Sequence, residues 1–186
     1  MRKALFLIAI GAIYRLVPHP WNLVPMGALA LYAGASLPRR WAWAVPVAAM
    51  GLSDLVIDYA IGRPFSDPSR WLIYGSFALT TLMGPLANRP KAGPWLLPGL
   101  SLAASVLFFL ASNFGAWLML DTLYPRSMAG LLACYAAGID GVDKTILADL
   151  AGTAVLFGLG AILERARRPV PARESSLQPI DSSPAA

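Results

Sequence analysis

Charge is what this sequence has least of. Only 13% of its 186 residues are Asp, Glu, Lys or Arg, about half the fraction usual for a soluble domain. It has one cysteine, Cys134, so no internal disulfide is available. It has one histidine, His19, which excludes a multi-histidine metal site. No Walker A motif, GxGxxG or HExxH occurs, which excludes a self-contained ATPase and a zincin-type protease. Cys134 lies in an apolar stretch and reads as a buried, inert thiol. No cofactor, metal site or catalytic residue is expected.

What is present is apolar. Ala, Val, Ile, Leu, Met, Phe, Trp, Tyr and Cys make up 57% of the chain. The runs break at clusters of charge and proline. The fold class expected is all-α, a polytopic bundle of six transmembrane helices. The helices expected are residues 3–17, 23–37, 41–61, 71–87, 95–120 and 143–164. A full crossing takes about 20 residues, so the first two fall short and must extend into their loops or meet a thinned bilayer. Residues 127–139 form a further apolar segment, read as a short interfacial or re-entrant helix. If it crosses, the count is seven and the C-terminus changes side. Residues 1–165 form the membrane domain, and residues 166–186, rich in proline and serine, form a disordered cytoplasmic tail. Arg2-Lys3 and the apolar run after them resemble a signal peptide. The run lacks a persuasive cleavage site and flows into Arg15 and Pro18-His19-Pro20, so an uncleaved first helix is expected.

The net charge of +5 marks topology, not nucleic-acid binding, because the basic residues sit between apolar runs. In the six-helix threading, one side holds Arg2, Lys3, Arg39, Arg40, Arg89, Lys91, Arg165, Arg167, Arg168 and Arg173. The other holds Arg15, Arg63, Arg70, Arg126 and Lys144. That split places both termini in the cytoplasm. The acids lean the other way: Asp54, Asp58, Asp67, Asp121, Asp140, Asp143 and Asp149 fall toward the outside. Acids do little to orient a chain, so the outer face has a task of its own.

Threaded this way, every helix carries polar residues within roughly 10 Å of its outer end. Arg15, His19 and Asn22 lie where the first two helices meet. Ser53, Asp54 and Asp58 end the third, Tyr74 opens the fourth, Asn113 and Trp117 lie late in the fifth, and Thr145 and Asp149 open the sixth. A charge near the bilayer centre costs about 2.5–3.5 kcal/mol on insertion scales. Six helices sending polar groups to one level therefore favour a cavity. Asp54 and Asp58, one turn apart, share a face. They suit an acid/base pair, a cation site, or ion pairs with Arg15 and Arg63. Ion pairing is preferred because the basic residues share their side. Ser53 either serves a ligand or bonds back to its own helix. His19, between two prolines, serves a loop hydrogen bond, a ligand contact or a pH-sensitive gate. Trp21, Trp71, Trp95 and Tyr124 fit an interfacial belt, while Trp117 and Tyr74 are assigned to the cavity. The substrate-binding set is Arg15, His19, Asn22, Ser53, Asp54, Asn113, Trp117 and Asp149. Ala30-x-x-x-Gly34 and the stretch Gly152 to Gly160 are small-residue surfaces for helix packing.

The run Arg15-Leu16-Val17-Pro18-His19-Pro20-Trp21-Asn22, continuing through Pro25 and Ala28 to Gly34, resembles an uncharacterised family of bacterial membrane proteins. So do Met50-Gly51-Leu52-Ser53-Asp54, Ser112-Asn113-Phe114-Gly115-Ala116-Trp117 and Tyr124-Pro125. The likeness covers residues 13–158. That family in turn looks like the S components of energy-coupling factor (ECF) transporters, which bind substrate. The resemblance implies six helices, cytoplasmic termini, the bacterial inner membrane and an outward-facing vitamin or metal site. Two departures stand out. Where the family pattern looks like Asn-Thr-Leu-x-Gly-Asp-Leu, this chain reads Lys144-Thr145-Ile146-Leu147-Ala148-Asp149-Leu150. Where S components usually show Ala-x-x-x-Ala in the first helix, Ala4 and Ala9 are each followed four residues later by Ile. The expectation is a non-enzymatic uptake protein for a small polar, vitamin- or cofactor-like molecule. Its partners would be that molecule and the lipid bilayer, with no nucleic acid; an ATP-driven coupling module and a solitary transporter or binding protein both stay open, because the docking pattern of the first helix is missing. The alternatives are a membrane-embedded enzyme using Asp54, Asp58 or Asp149 with His19, and a structural subunit of a membrane complex.

Overall fold

An apolar chain in lipid must satisfy its backbone internally, and helices do this within one segment. The computed structural model describes residues 1–20, 23–62, 68–89, 93–119 and 123–167, with residues 69 and 167 as backbone only. Among them all regular structure is helical. In chain order the α-helices are α1 (Arg2–Leu16), α2 (Met26–Ser36), α3 (Arg39–Ala42), α4 (Ala44–Ile61), α5 (Ser69–Thr80), α6 (Leu96–Met119), α7 (Met128–Gly138) and α8 (Val142–Arg167). Short 3-10 helices occupy Gly84–Asn88 and Ile139–Gly141.

Proline and glycine set the boundaries. Pro25, Pro38 and Pro68 stand immediately before α2, α3 and α5, where a missing N–H costs nothing. Gly62 closes α4 at φ 64°, a left-handed cap suited to glycine. Ser127 caps α7, its hydroxyl accepting from the Gly130 N–H at 3.1 Å.

The structure differs from the sequence expectation in three places. The segment 71–87 is not one helix. It stops at Thr80, turns, and resumes as the 3-10 helix, because Pro85 has no N–H to donate and Gly84 presses onto the backbone of α2. The segment 41–61 begins earlier, with α3 joined to α4 through Trp43. The second helix is only 11 residues, Met26–Ser36. Three stretches are long and apolar enough to cross a membrane: Arg39–Ile61, Leu96–Met119 and Met128–Ala166. The last combines α7, the 3-10 turn and α8. The expected tail falls from residue 168 on outside the described residues, and α8 itself runs to Arg167.

Helix α2 is the centre. Met26, Gly27, Ala28, Leu29, Ala30, Leu31, Ala33 and Gly34 are all buried, which marks a helix surrounded by protein. Leu7 of α1, Val45, Ala49 and Met50 of α4, and Tyr74 and Phe77 of α5 complete the core around it. Helix α1 packs on α4, α5 on α6, and α8 on both α2 and α6. The outer surface carries Leu5, Phe6, Ile13, Leu52, Leu55, Val56, Leu79, Leu102, Val155 and Ile162 in exposed positions. Those side chains and the three spanning stretches point to membrane association.

Candidate functional site

Polar side chains that meet one another inside the bundle come from six helices. They come from the last turn of α1, the start of α2, the second half of α4, the first half of α5, the middle of α6 and the first half of α8.

Arg15 ties α1 to α4. Its Nη1 donates to the Met50 carbonyl at 3.1 Å and to the Ser53 hydroxyl at 2.5 Å. Its Nη2 lies 2.7 Å from Asp54 Oδ1. The other oxygen of Asp54 accepts from the Tyr74 hydroxyl at 2.6 Å. Asp54 is therefore a buried carboxylate satisfied on both oxygens, as burial demands. Ser53 Oγ also donates back to the carbonyls of Ala49 and Met50. Asp58 forms a bidentate pair with Arg70, one arm at 2.7 Å. Arg63, its expected partner, lies outside the described residues.

Asp149 performs a different task. Helix α2 has Pro25 at its N-cap and no cap of its own. Asp149 Oδ1 accepts from the Ala28 N–H at 3.1 Å, although the two residues are 121 positions apart. Its Oδ2 accepts from the Ser105 hydroxyl at 2.8 Å. One turn further along both helices, Thr153 Oγ1 donates to Ser101 Oγ at 3.2 Å. Ser101 and Ser105 are four apart on α6, and Asp149 and Thr153 are four apart on α8, so two polar faces interlock. A Cβ at Gly27 would land on the Asp149 carboxylate, so glycine is what admits it.

A cavity of about 470 Å³ opens among these groups, within the range of small-molecule pockets, about 300–1,000 Å³. Arg15, His19, Gly27, Thr145 and Asp149 line it, with Met50, Ile57, Ile73, Phe77 and Phe108 as apolar wall. Ser53 and Asp54 are not among its lining residues and lie behind Arg15. Phe77 and Phe108 are stacked at 5.1 Å between centroids. His19 Nδ1 donates to the Val17 carbonyl at 2.6 Å, which fixes its tautomer. A second cavity of about 280 Å³ adjoins it, sharing Ile73, Phe108 and Thr145, and is also lined by Ser105, Ser112 and Asn113.

Of the expected binding residues, Arg15, His19 and Asp149 meet at the first cavity and Asn113 at the second. Asn113 Nδ2 donates to the Phe109 carbonyl at 2.9 Å, and its amide lies against Gly138 of α7. Trp117 lines neither cavity. Its Nε1 donates to the Pro125 carbonyl at 3.1 Å and its ring meets Phe114, so it fastens the 123–127 turn. Asn22 lies outside the described residues. Sequence reasoning missed Gly27, Ser105 and Arg70. The matched four-residue spacing of Ser101/Ser105 and Asp149/Thr153 in otherwise apolar helices was the available signal for Ser105. Among the described residues no group of three His, Cys, Asp or Glu side chains is placed to hold a metal.

A family model described as a family of unknown function (DUF6580) matches residues 2–172. No curated protein and no solved structure matches the chain.

Proposed function

Since the chain belongs to this family of unknown function, we propose from its own residues that it is an integral membrane binding protein for uptake of a small polar molecule. The observation that carries this reading is the cavity where Arg15, His19, Thr145 and Asp149 converge within an apolar bundle. Charge at membrane depth is costly and is kept where it has a task. The ligand is vitamin- or cofactor-sized, and the site is read by Arg15, His19, Thr145 and Asp149, with Asn113 in the adjoining space.

The arrangement we propose is like an ECF S component: six membrane passages, both termini cytoplasmic, in the bacterial inner membrane. The basic-residue imbalance between loops supports that orientation. Helices α1, α2 and α5, of 15, 11 and 12 residues, cross only with their flanking loops. Irregular backbone at membrane depth is tolerated where protein buries it, as around α2. Uptake then requires the protein to reorient, driven by an ATP-hydrolysing coupling module. The exposed Leu5, Phe6, Ile10 and Ile13 of α1 offer such a partner an apolar face.

A second reading, a structural subunit, is favoured by one observation. Asp54 and Asp149 are already satisfied by internal partners, so these groups also lock helices together. Native mass spectrometry of the purified chain, incubated with cell extract and vitamin libraries, separates the two. Binding predicts a retained small molecule that is lost on Asp149→Asn or Arg15→Gln. If no fraction yields a bound molecule, and those variants complement a deletion as wild type does, uptake is overturned.

A further inference from the structure

Resting on the binding reading above, we propose that the ligand is an amphipathic amine, with its ammonium group beside Asp149 and its apolar portion leaving between α1 and α8.

The charge balance comes first. Arg15 is paired with Asp54 and Arg70 with Asp58, so each pair is neutral. Asp149 also lines the cavity, and among the described residues it has no ion pair. Its partners are an amide N–H and a hydroxyl. Arg15 and Asp149 both face the cavity, but the Arg15 charge is already engaged by Asp54, whereas the Asp149 carboxylate is offset only in part, by about half a positive charge at the N-terminus of α2. A cation complements that carboxylate, whereas an anionic group would have to compete with Asp54 for Arg15. Phe77 and Phe108 line the same space as a stacked pair, and aromatic faces attract cations.

The apolar portion follows from a second space. A groove of about 570 Å³ lies between α1 and α8, floored by α2. Ile10, Tyr14, Leu29, Ala151, Val155 and Leu156 line it, with Ile10, Tyr14 and Val155 also exposed at the outer surface. Val24 and Met26 line both the groove and the polar cavity. A ligand passing those two residues has its head among polar groups and its tail in the bilayer. A water-soluble ligand needs no such exit.

The test uses the full chain in zwitterionic nanodiscs. The probes are n-alkylamines from butyl to decyl, with matched alcohols and carboxylates, and the readout is saturable one-to-one binding by native mass spectrometry. The expected result is binding of amines that strengthens about fourfold per methylene, the equivalent of about 0.8 kcal/mol. Asp149→Asn weakens amines at least tenfold and leaves alcohols unmoved. Ala151→Trp fills the groove and flattens the chain-length dependence. Phe108→Leu, which leaves the Asp149 contacts in place, weakens amines alone and serves if Asp149→Asn fails to fold. Amine binding with the same chain-length dependence in Ala151→Trp overturns the apolar exit and spares the polar site. Preference for carboxylates overturns the amine. Absence of saturable binding by any probe overturns the proposal, while the binding reading stands or falls on the extract experiment.

Discussion

Arg15 Nη2 and Asp54 Oδ1 lie 2.7 Å apart, joining the last turn of α1 to the middle of α4, with 17% and 9% of their side chains exposed. Removing one partner strands the other charge. Asp54→Ala is expected to cost about 3–5 kcal/mol, because the guanidinium is left without its counter-ion. The double replacement Arg15→Met with Asp54→Leu is expected to cost less than Asp54→Ala alone. Equilibrium unfolding in mixed micelles gives both values. With Arg15→Met and Asp54→Leu also measured alone, a double change equal to their sum would show that the pair is not coupled.

Gly27 and Asp149 make a sharper test of the cap on α2. Gly27→Ala drives a methyl group into the carboxylate, so Asp149 must leave the Ala28 N–H. Loss of a cap costs about 1 kcal/mol, and loss of a charged hydrogen bond about 1.5–3 kcal/mol. Asp149→Asn keeps an acceptor oxygen and is expected to be milder. Amide hydrogen exchange at Ala28 should accelerate in Gly27→Ala and less so in Asp149→Asn. Unchanged exchange in both would remove Asp149 from the capping role.

The glycines divide into two classes. At Gly34 an added Cβ would meet the backbone of Thr81, and at Gly84 the backbone of α2. Backbone cannot rotate aside, so alanine at either position should cost at least about 1–3 kcal/mol. Nothing lies near an added Cβ at Gly51 or Gly99. Alanine there should be neutral, or stabilising by up to about 1 kcal/mol from helix propensity. Thermal unfolding in detergent should separate the pairs.

Topology is testable by cysteine labelling, because Cys134 is the chain's one thiol and is 2% exposed. Its Sγ donates to the Asn113 carbonyl at 3.3 Å. With Cys134 replaced by Ala, single cysteines at Tyr59 and Asn88 are expected to react with a membrane-impermeant reagent from opposite sides. Labelling of both from one side would overturn the proposed threading.

Much of the helical layout is legible in the sequence. The edges of α1, α6, α7 and α8 fall within three residues of where proline, glycine and charge place them. Arg15 and His19 line one cavity with Asp149, which is far from them in sequence. What is not legible depends on contacts between distant segments. Met26–Ser36 is apolar on nearly every side, so periodicity cannot tell a protein-facing residue from a lipid-facing one there. Hence the shortness of α2, the seating of Gly27 against Asp149, and the choice of Arg70 for Asp58 appear only in three dimensions. Trp117 shares a helix face with Asn113, four residues before it, yet its Nε1 is taken by the Pro125 carbonyl, a contact that appears only in three dimensions.

The cap on α2 also has a consequence for biogenesis. During synthesis α2 emerges long before α8, and its first amides wait for a carboxylate 121 positions downstream. Until α8 arrives, the Ala28 N–H at the start of the central helix lacks its acceptor. A chain truncated before α8 is thus a natural target for membrane proteases. Arrival of the last helix completes the bundle's innermost segment, making assembly nearly all-or-none.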